Sequence, residues 1–130
     1  RAAGPKLVEA SRALAPIEAG EAVITPAFDL PNDYVVHCAG PVYSKSQPVA
    51  AQLASCYRTA MELAGEENAE SIAFPAISAG IYGYPLDEAA EIAVHTVADC
   101  AARAQSIQRA RFVLFSDDAL AAFEQALEKR

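Results

Sequence analysis

The stretch that decides the fold runs from Ala73 to Pro85 and reads Ala-Phe-Pro-Ala-Ile-Ser-Ala-Gly-Ile-Tyr-Gly-Tyr-Pro. It continues the short apolar run Ser71–Phe74, and a long helical pattern begins after Pro85. The order of strand, glycine-containing loop and helix brings backbone N–H groups together at a helix N-terminus, where the helix dipole favours negative charge. Gly80 and Gly83 are able to adopt positive φ and let a ligand approach the backbone closely. The stretch therefore predicts an α/β unit with a candidate anion site in its loop.

This loop contains no lysine or arginine, so it is not a Walker A loop, and it does not match the GxGxxG fingerprint. A phosphate or diphosphate bound here would be held by backbone dipoles alone. Tyr82 and Tyr84 add aromatic faces able to cover a sugar or to close as a lid. The alternative is an ordinary strand-to-helix turn whose glycines serve only its geometry, although such turns are usually shorter, about 2–6 residues.

The segment Ile77–Pro85 resembles the second phosphate-binding loop of the macrodomain family, whose members are ADP-ribose-binding α/β domains. Arg1–Pro5 resembles the end of the first helix of that family. Val35–Val42 resembles its central strand and the following turn, and Phe112–Ser116 resembles its last strand. The resemblance covers the whole chain, and the loop is its specific part. It implies one domain over residues 1–130, a three-layer α/β/α sandwich with a mixed central sheet.

The resemblance also implies which residues contact the ligand. The loop residues expected to bind the diphosphate and ribose are Ser78, Ala79, Gly80, Ile81, Tyr82 and Gly83. Within this set, Gly80 would permit close approach and Tyr82 would flank the distal ribose. Phe115 would stack on the adenine, since it ends the last predicted strand, and α/β folds bind ligands at the carboxyl ends of strands. The alternative for Phe115 is a core aromatic.

Family members normally begin with two more strands and a first glycine-rich loop. Those elements supply an aspartate for the adenine, an asparagine near the distal ribose and, in the hydrolase branch, a catalytic loop aspartate. None of them maps onto this sequence, so we expect the domain to be N-terminally incomplete and we assign no catalytic residue. An internal strand would then be missing, which predicts an unpaired strand edge and poor stability for the chain alone.

Length and composition limit the class of protein. The chain has 130 residues, enough for one domain with a single core. Hydrophobic residues make up 53% and charged residues 21%, which indicates a globular fold rather than disorder. The net charge of −7 argues against nucleic-acid binding, which depends on lysine and arginine. An anionic ligand must therefore be captured by a local site against the overall field.

The three cysteines, Cys38, Cys56 and Cys100, form no CxxC motif and are odd in number. They favour a reduced, cytoplasmic protein. No apolar run approaches the ~20 residues of a membrane span, and no signal-peptide pattern is visible, so no membrane contact is expected. No residues show metal-ligand spacing. We therefore expect neither a metal nor another cofactor.

The apolar patterns predict strands at residues 22–25, 34–39, 71–74 and 111–115. Helices are predicted at about residues 5–14, 48–65 and 86–104, and a last helix begins at Asp117, where acidic residues suit the dipole. The second strand is apolar almost throughout, which predicts burial on both of its faces. The last helix is expected to place Leu120, Phe123 and Leu127 on one face.

Ser78, His37 and His95 are the candidates for a catalytic side chain. Ser78 lacks the Gly-x-Ser-x-Gly pattern of a nucleophile elbow, so we interpret it as a loop residue presenting its N–H, and its hydroxyl, to a phosphate. His37 is interpreted as a buried, hydrogen-bonded residue. A catalytic pair of His37 with Cys38 is argued against because neighbouring strand residues point to opposite faces. His95 is expected to be structural or solvent-facing.

The resemblance to the stand-alone bacterial branch of the family implies hydrolysis. The reaction would remove ADP-ribose from a protein, or acetyl from O-acetyl-ADP-ribose, with a positioned water over the loop. ADP-ribosylated proteins are then candidate partners. One competing hypothesis is a non-catalytic reader that binds the same ligand without turnover. Another is a structural remnant without a ligand.

Overall fold

A computed structural model of the chain describes residues 5–6, 17–46, 49–80 and 82–129. Its strands are β1 (Ala22–Pro26), β2 (Tyr34–Cys38), β3 (Ser71–Phe74) and β4 (Arg109–Phe112), and its helices are α1 (Val49–Glu66), α2 (Leu86–Ala101) and α3 (Asp117–Glu128). Apart from Pro5 and Lys6, the predicted N-terminal helix and the segment Arg1–Pro5 lie outside the described residues. No helix in the described ranges is long and apolar enough to cross a membrane.

The strands combine both pairing directions. β1 and β2 are antiparallel, with Ala22 opposite Cys38, whereas β3 and β4 are parallel, with Phe74 opposite Phe112. The α/β class with mixed strand directions is therefore confirmed. Within the described residues, the strands form two two-stranded ladders rather than one continuous sheet, because no strand pairing joins β2 to β3. Each of these two strands thus has an unpaired edge in this part of the chain.

Strand β2 is less buried than predicted, since the sequence indicated burial on both of its faces. Tyr34 is exposed and the other residues of β2 are only half-buried. Val36 and Cys38 pack against the core. The expectation was wrong because it assumed a strand with neighbours on both edges, and β2 pairs only with β1 in the described structure.

Helix α1 forms where the apolar residues recur at helical spacing, and the predicted positions are the buried ones: Val49, Leu53, Cys56, Tyr57, Ala60, Met61 and Ala64. It packs against β1, β2 and the next helix, α2. This helix therefore connects the antiparallel ladder to the helical part of the core.

Four aromatic rings connect α1 to the parallel ladder and to α3. The ring centroid of Tyr57 lies 5.1 Å from that of Phe74 on β3 and 6.3 Å from that of Phe112 on β4. Phe112 in turn lies 5.0 Å from Phe123 of α3. Edge-to-face pairs such as the two made by Tyr57 contribute about 0.5–1.5 kcal/mol beyond the burial of their area. The cluster fixes the end of β3 from which the candidate loop starts.

Two predicted features of the C-terminal region are corrected. β4 ends at Phe112, three residues before Phe115, and it begins at Arg109. The buried side of α3 consists of Ala119, Ala122, Phe123 and Ala126, while Leu120 and Leu127 are exposed. Alanines are also buried along α2, at Ala89, Ala90 and Ala93. These small side chains let the two helices approach closely, so the larger leucines are left outside.

The unpaired edges of β2 and β3 predict a marginal fold for the chain on its own. Two-stranded ladders are marginally stable in water unless they pack against other elements, and open edges invite association. We expect a broad unfolding transition at low temperature, with a tendency to self-associate. Calorimetry combined with sedimentation velocity measures both properties. A sharp two-state transition from a monomer would contradict the prediction.

Candidate functional site

Two loops leave the sheet at the same edge. β3 and β4 are parallel, so the segments that follow them, residues 75–85 and 113–116, start from neighbouring carboxyl ends. The N–H of Val113 donates to the carbonyl of Phe74 at 2.8 Å, which extends the pairing to the start of both segments. The predicted loop and Phe115 are therefore brought to one side of the molecule, where α/β folds place their ligands.

The loop is built from two tight turns. The N–H of Ala79 donates to the carbonyl of Ala76 at 3.2 Å, and the N–H of Gly83 donates to the carbonyl of Gly80 at 3.0 Å. A third bond, from the N–H of Tyr84 to the carbonyl of Ser78 at 2.9 Å, closes the loop. Its path is thus set by the backbone itself.

The left-handed positions of the loop are Ser78, with φ of 65°, and Gly83, with φ of 75°. Gly83 behaves as predicted, but Gly80 does not have positive φ. A Cβ added to Gly80 would meet no heavy atom within 4 Å. The open space at Gly80, rather than its dihedral angle, is what would allow a ligand to approach the backbone. A non-glycine residue in the left-handed region, as at Ser78, stores strain that often marks a functional position.

Three backbone donors of the loop have no acceptor among the described residues: the N–H groups of Ser78, Gly80 and Tyr82. The hydroxyl of Ser78 is buried and likewise has no partner in this part of the structure. Ile81, the remaining predicted loop residue, lies outside the described residues. The buried hydroxyl of Ser78 calls for a partner, and the N–H groups of the exposed residues Gly80 and Tyr82 are open to a ligand, so this set suits an anion that accepts several hydrogen bonds.

The hydroxyl of Tyr57 supports the loop from the helix side. It accepts a hydrogen bond from the N–H of Ile77 at 3.2 Å and donates one to the carbonyl of Pro75 at 3.3 Å. Burial raises the pKa of Tyr57 above its ordinary value, with the Ile77 N–H opposing the shift. The hydroxyl therefore keeps the proton that it donates. The sequence placed Tyr57 among the apolar helix positions; the available signal for its role was that a buried tyrosine needs a partner for its hydroxyl.

The segment after β2 supports the loop from the other side. A Cβ at Gly40 would lie 2.6 Å from Oγ of Ser78 and 2.7 Å from a methyl carbon of Ile77, so only glycine fits there. The N–H of Tyr43 donates to the carbonyl of Tyr82 at 2.9 Å. Sequence reasoning assigned neither Gly40 nor Tyr43 to the site, because these contacts join segments that are far apart in the chain.

The two tyrosines of the loop have different environments. Tyr84 is only 4% exposed and its ring lies edge-on to that of Tyr43, with centroids 5.0 Å apart. Burial, with a smaller contribution from Glu88, raises the pKa of Tyr84. Tyr84 is therefore a core residue and not the predicted aromatic face. Tyr82 is 42% exposed, so it keeps an accessible ring.

Phe115 is 95% exposed, which excludes the alternative that it is a core aromatic. It lies in the turn between β4 and α3 and borders an open cavity of about 410 Å³. The cavity is lined by Phe112, Leu114, Phe115, Ser116, Asp117 and Leu120. An accessible ring beside an open depression provides a surface for a flat aromatic ligand, and its adenine role stays a prediction.

The helix termini near the site contribute opposing charges. The N-cap of α2 is Pro85, with no side-chain cap, while Asp87 and Glu88 occupy its first turn. These carboxylates suit the dipole but repel an anion, so backbone donors must outweigh them. At α3 the cap is Ser116, whose hydroxyl accepts from the N–H of Ala119 at 3.1 Å, and Asp117 follows in the first turn.

The histidines lie away from this edge. Nε2 of His37 is hydrogen-bonded to the hydroxyl of Thr25 at 2.9 Å, on the face of β2 opposite Cys38, which confirms that His37 is hydrogen-bonded within the fold. His95 is exposed on α2. In the ranges that the structure describes, no group of three or more His, Cys, Asp or Glu side chains could hold a metal ion.

Comparison with known proteins adds sequence and fold relationships. The family model described as macro domain matches residues 1–93. A macro domain-containing protein of Chlorobaculum tepidum is 47% identical over 128 residues, covering 98% of this chain and 74% of the relative. An O-acetyl-ADP-ribose deacetylase of Klebsiella pneumoniae is 44% identical over 132 residues, covering 98% and 75%. The Oceanobacillus iheyensis macrodomain solved with ADP superposes with a TM-score of 0.85 at 34% identity, covering 98% of this chain and 71% of that one.

The support that Tyr57 gives to the loop is testable with Tyr57→Phe. The change removes the acceptor of the Ile77 N–H, and losing one partner of a buried pair costs about 1–3 kcal/mol. We expect faster hydrogen exchange in peptides that contain Ile77, measured by mass spectrometry. Tyr43→Phe is the control, because its hydroxyl has no hydrogen bond among the described residues. Unchanged exchange in Tyr57→Phe would contradict this role.

Proposed function

The chain belongs to the macrodomain family, and we propose that it binds ADP-ribose or O-acetyl-ADP-ribose through the loop that follows β3. The observation that carries this proposal is the set of N–H groups at Ser78, Gly80 and Tyr82 that have no acceptor among the described residues, beside a space that is open at Gly80. A diphosphate supplies several acceptor oxygens to such donors. The ADP bound by the Oceanobacillus iheyensis macrodomain contains the same diphosphate group.

The loop residues divide into donors and shape-forming residues in this proposal. Ser78, Gly80 and Tyr82 donate to the ligand through their backbone. The N–H groups of Ala79 and Gly83 are already used inside the loop, so these two residues contribute its geometry. Ile81 is retained from the sequence prediction as a further donor. Neutral dipoles suit a protein of net charge −7, because they bind the anion locally without a cationic side chain.

The sugar and base ends of the ligand are assigned to the two exposed aromatic side chains. Tyr82 would flank the distal ribose next to the diphosphate. Phe115 would stack on the adenine over the cavity at the start of α3. The parallel pairing of β3 and β4 supports this division, because it brings the loop and Phe115 to one edge of the sheet.

We further propose hydrolysis of the bound ligand, either of an ADP-ribosyl bond to protein or of the acetyl ester. The support is the name of the Klebsiella pneumoniae relative, an O-acetyl-ADP-ribose deacetylase. Holding the diphosphate would position the ester for attack by a water molecule. We do not assign the activation of this water molecule to any side chain of the described structure.

The competing function is a reader that binds ADP-ribose on a modified protein without turnover. The free backbone donors support this function equally well, since they recognise the diphosphate and not the scissile bond. Incubation with O-acetyl-ADP-ribose separates the two functions. Release of acetate identifies the hydrolase, and binding without release identifies the reader.

The loop assignment is tested by calorimetric titration of ADP-ribose into the wild type and Gly80→Glu. A Cβ at Gly80 meets no heavy atom within 4 Å, and Gly80 is exposed, so the fold should be kept. Its carboxylate would block and repel the diphosphate, and like charges in contact cost several kcal/mol. We expect binding to Gly80→Glu to be undetectable. AMP, which lacks the diphosphate, should bind the wild type more weakly.

The matched control for added charge is Ala101→Glu. Ala101 is exposed at the far end of the 16-residue helix α2, about 24 Å along its axis from the loop. This variant should bind ADP-ribose as the wild type does. Unchanged affinity in Gly80→Glu, or equal affinities of the wild type for ADP-ribose and AMP, would contradict diphosphate recognition by this loop.

The adenine assignment is tested with Phe115→Ala. Removing a stacking platform weakens base binding by about 1–3 kcal/mol in other proteins, and we expect a loss of this size for ADP-ribose. Thermal stability should stay the same because the ring is exposed. Leu127→Ala removes another exposed apolar side chain, outside the cavity, and serves as control. Equal affinities of the two variants would show that Phe115 does not contact the base.

A further inference from the structure

Cys38 and Cys56 lie together beneath the segment that supports the loop. Cys38 is the last residue of β2 and packs against the core, and Cys56 is on the buried side of α1. The thiol of Cys56 donates to the carbonyl of Ala39 at 3.2 Å, so it touches the residue that follows Cys38. The ligand site described above uses neither thiol.

The two thiols influence each other's pKa. A hydrogen bond with Cys56 lowers the pKa of Cys38, and burial opposes this shift only in part. The same hydrogen bond, together with burial, raises the pKa of Cys56. Their accessibility differs as well, because Cys38 is half-buried and Cys56 is 0% exposed. Cys38 is thus the more accessible of the two thiols, and Cys56 is shielded by the core.

We propose that Cys38 and Cys56 form a reversible dithiol–disulfide site that reacts with peroxides. The attack on a peroxide is made by a thiolate, and redox-active cysteines are accessible residues with a second cysteine poised beside them. The arrangement of a half-buried thiol at a strand end with a second thiol directly behind it matches that requirement. Cys100 is buried on α2, and burial raises its pKa, so it is not part of the site.

The reaction proceeds in two balanced steps. The thiolate of Cys38 attacks one oxygen of hydrogen peroxide, the O–O bond breaks, and hydroxide leaves and takes up a proton to form water. The product is a sulfenic acid on Cys38. The sulfur of Cys56 then attacks the sulfur of Cys38, the S–O bond breaks, and the thiol proton leaves with the hydroxyl as a second water. Two thiols are oxidised by two electrons and one peroxide is reduced.

The disulfide would act on the ligand loop through Gly40. A disulfide brings the sulfur atoms to about 2.05 Å, which draws the end of β2 towards α1. Gly40 follows two residues after Cys38 and lies close to Oγ of Ser78, so a shift of Gly40 would reach the loop. Oxidation should therefore weaken ADP-ribose binding several-fold. This consequence rests on the proposed function, whereas the disulfide itself does not.

The experiment treats the reduced chain with hydrogen peroxide, blocks the remaining thiols by alkylation, and maps peptides without reduction. We expect a Cys38–Cys56 linked peptide that dithiothreitol reverses, with Cys100 alkylated. Cys100→Ala is the matched control and should give the same linkage. A link that involves Cys100, or stable over-oxidation of Cys38 with Cys56 free, would overturn the proposal.

Two single variants separate the roles of the thiols. In Cys56→Ala the sulfenic acid of Cys38 should accumulate and be trapped by dimedone, whereas the wild type should give little adduct. In Cys38→Ala the fully buried Cys56 should stay reduced, and this variant leaves the interior of α1 unchanged. Dimedone labelling of Cys56 in Cys38→Ala would contradict the order of attack. If ADP-ribose bound neither the reduced nor the oxidised chain, the proposed function would fail while the mapped linkage would still decide this proposal.

Discussion

One buried hydroxyl, that of Tyr57, joins the parts on which the candidate site depends. Its ring packs against Phe74 of β3 and Phe112 of β4. Its oxygen is hydrogen-bonded to the backbone of Pro75 and Ile77, where the loop begins. A loop has few backbone partners of its own, so a side chain from a rigid helix is an effective way to hold it. Because burial keeps this hydroxyl protonated, the same atom satisfies a donor and an acceptor at once.

The use of backbone groups rather than cationic side chains in the candidate loop is consistent with the negative charge of the protein. The protein is acidic overall, and the residues next to the loop in α2 are acidic as well. A lysine or arginine in the loop would pair with these carboxylates, whereas backbone N–H groups cannot be neutralised in that way. The strained conformation of Ser78 and the tight contact at Gly40 maintain the loop with donors left unpaired. The structure thus keeps binding capacity at a cost in local stability, as functional sites often do.

In the described structure, β2 is paired along one edge only, and it ends beside the thiols of Cys38 and Cys56. Its second edge has no strand partner among the described residues, and its core-facing end carries Cys38. A strand held on one side opens more easily than one held on both, so motion there reaches Gly40 and the loop beyond it. The thiols of Cys38 and Cys56 lie where a covalent bond would join the end of β2 to α1.

The sequence by itself determined the features that depend on neighbours along the chain. Helical periodicity identified the buried side of α1, including Tyr57 and Cys56, and a run of apolar residues located β3 at its observed bounds. The strand–loop–helix order located the candidate site, because that order specifies the local path of the backbone. The loop motif also carried the resemblance to the macrodomain family, and the family model and the relatives confirm that the chain belongs to it.

Only the tertiary structure decided which members of those patterns are exposed at this edge of the sheet. Ser78 adopts the left-handed region and Gly80 does not, and Ser78 lies beside Gly40, which is 38 residues earlier in the chain. Tyr82 and Tyr84 are near neighbours of one residue type, yet packing against Tyr43 buries one and leaves the other accessible. Leu120 and Leu127 are exposed because alanines on α2 and α3 fill the interface that a periodic pattern gives to larger residues. Burial depends on contacts between distant segments, and local sequence patterns carry no record of them.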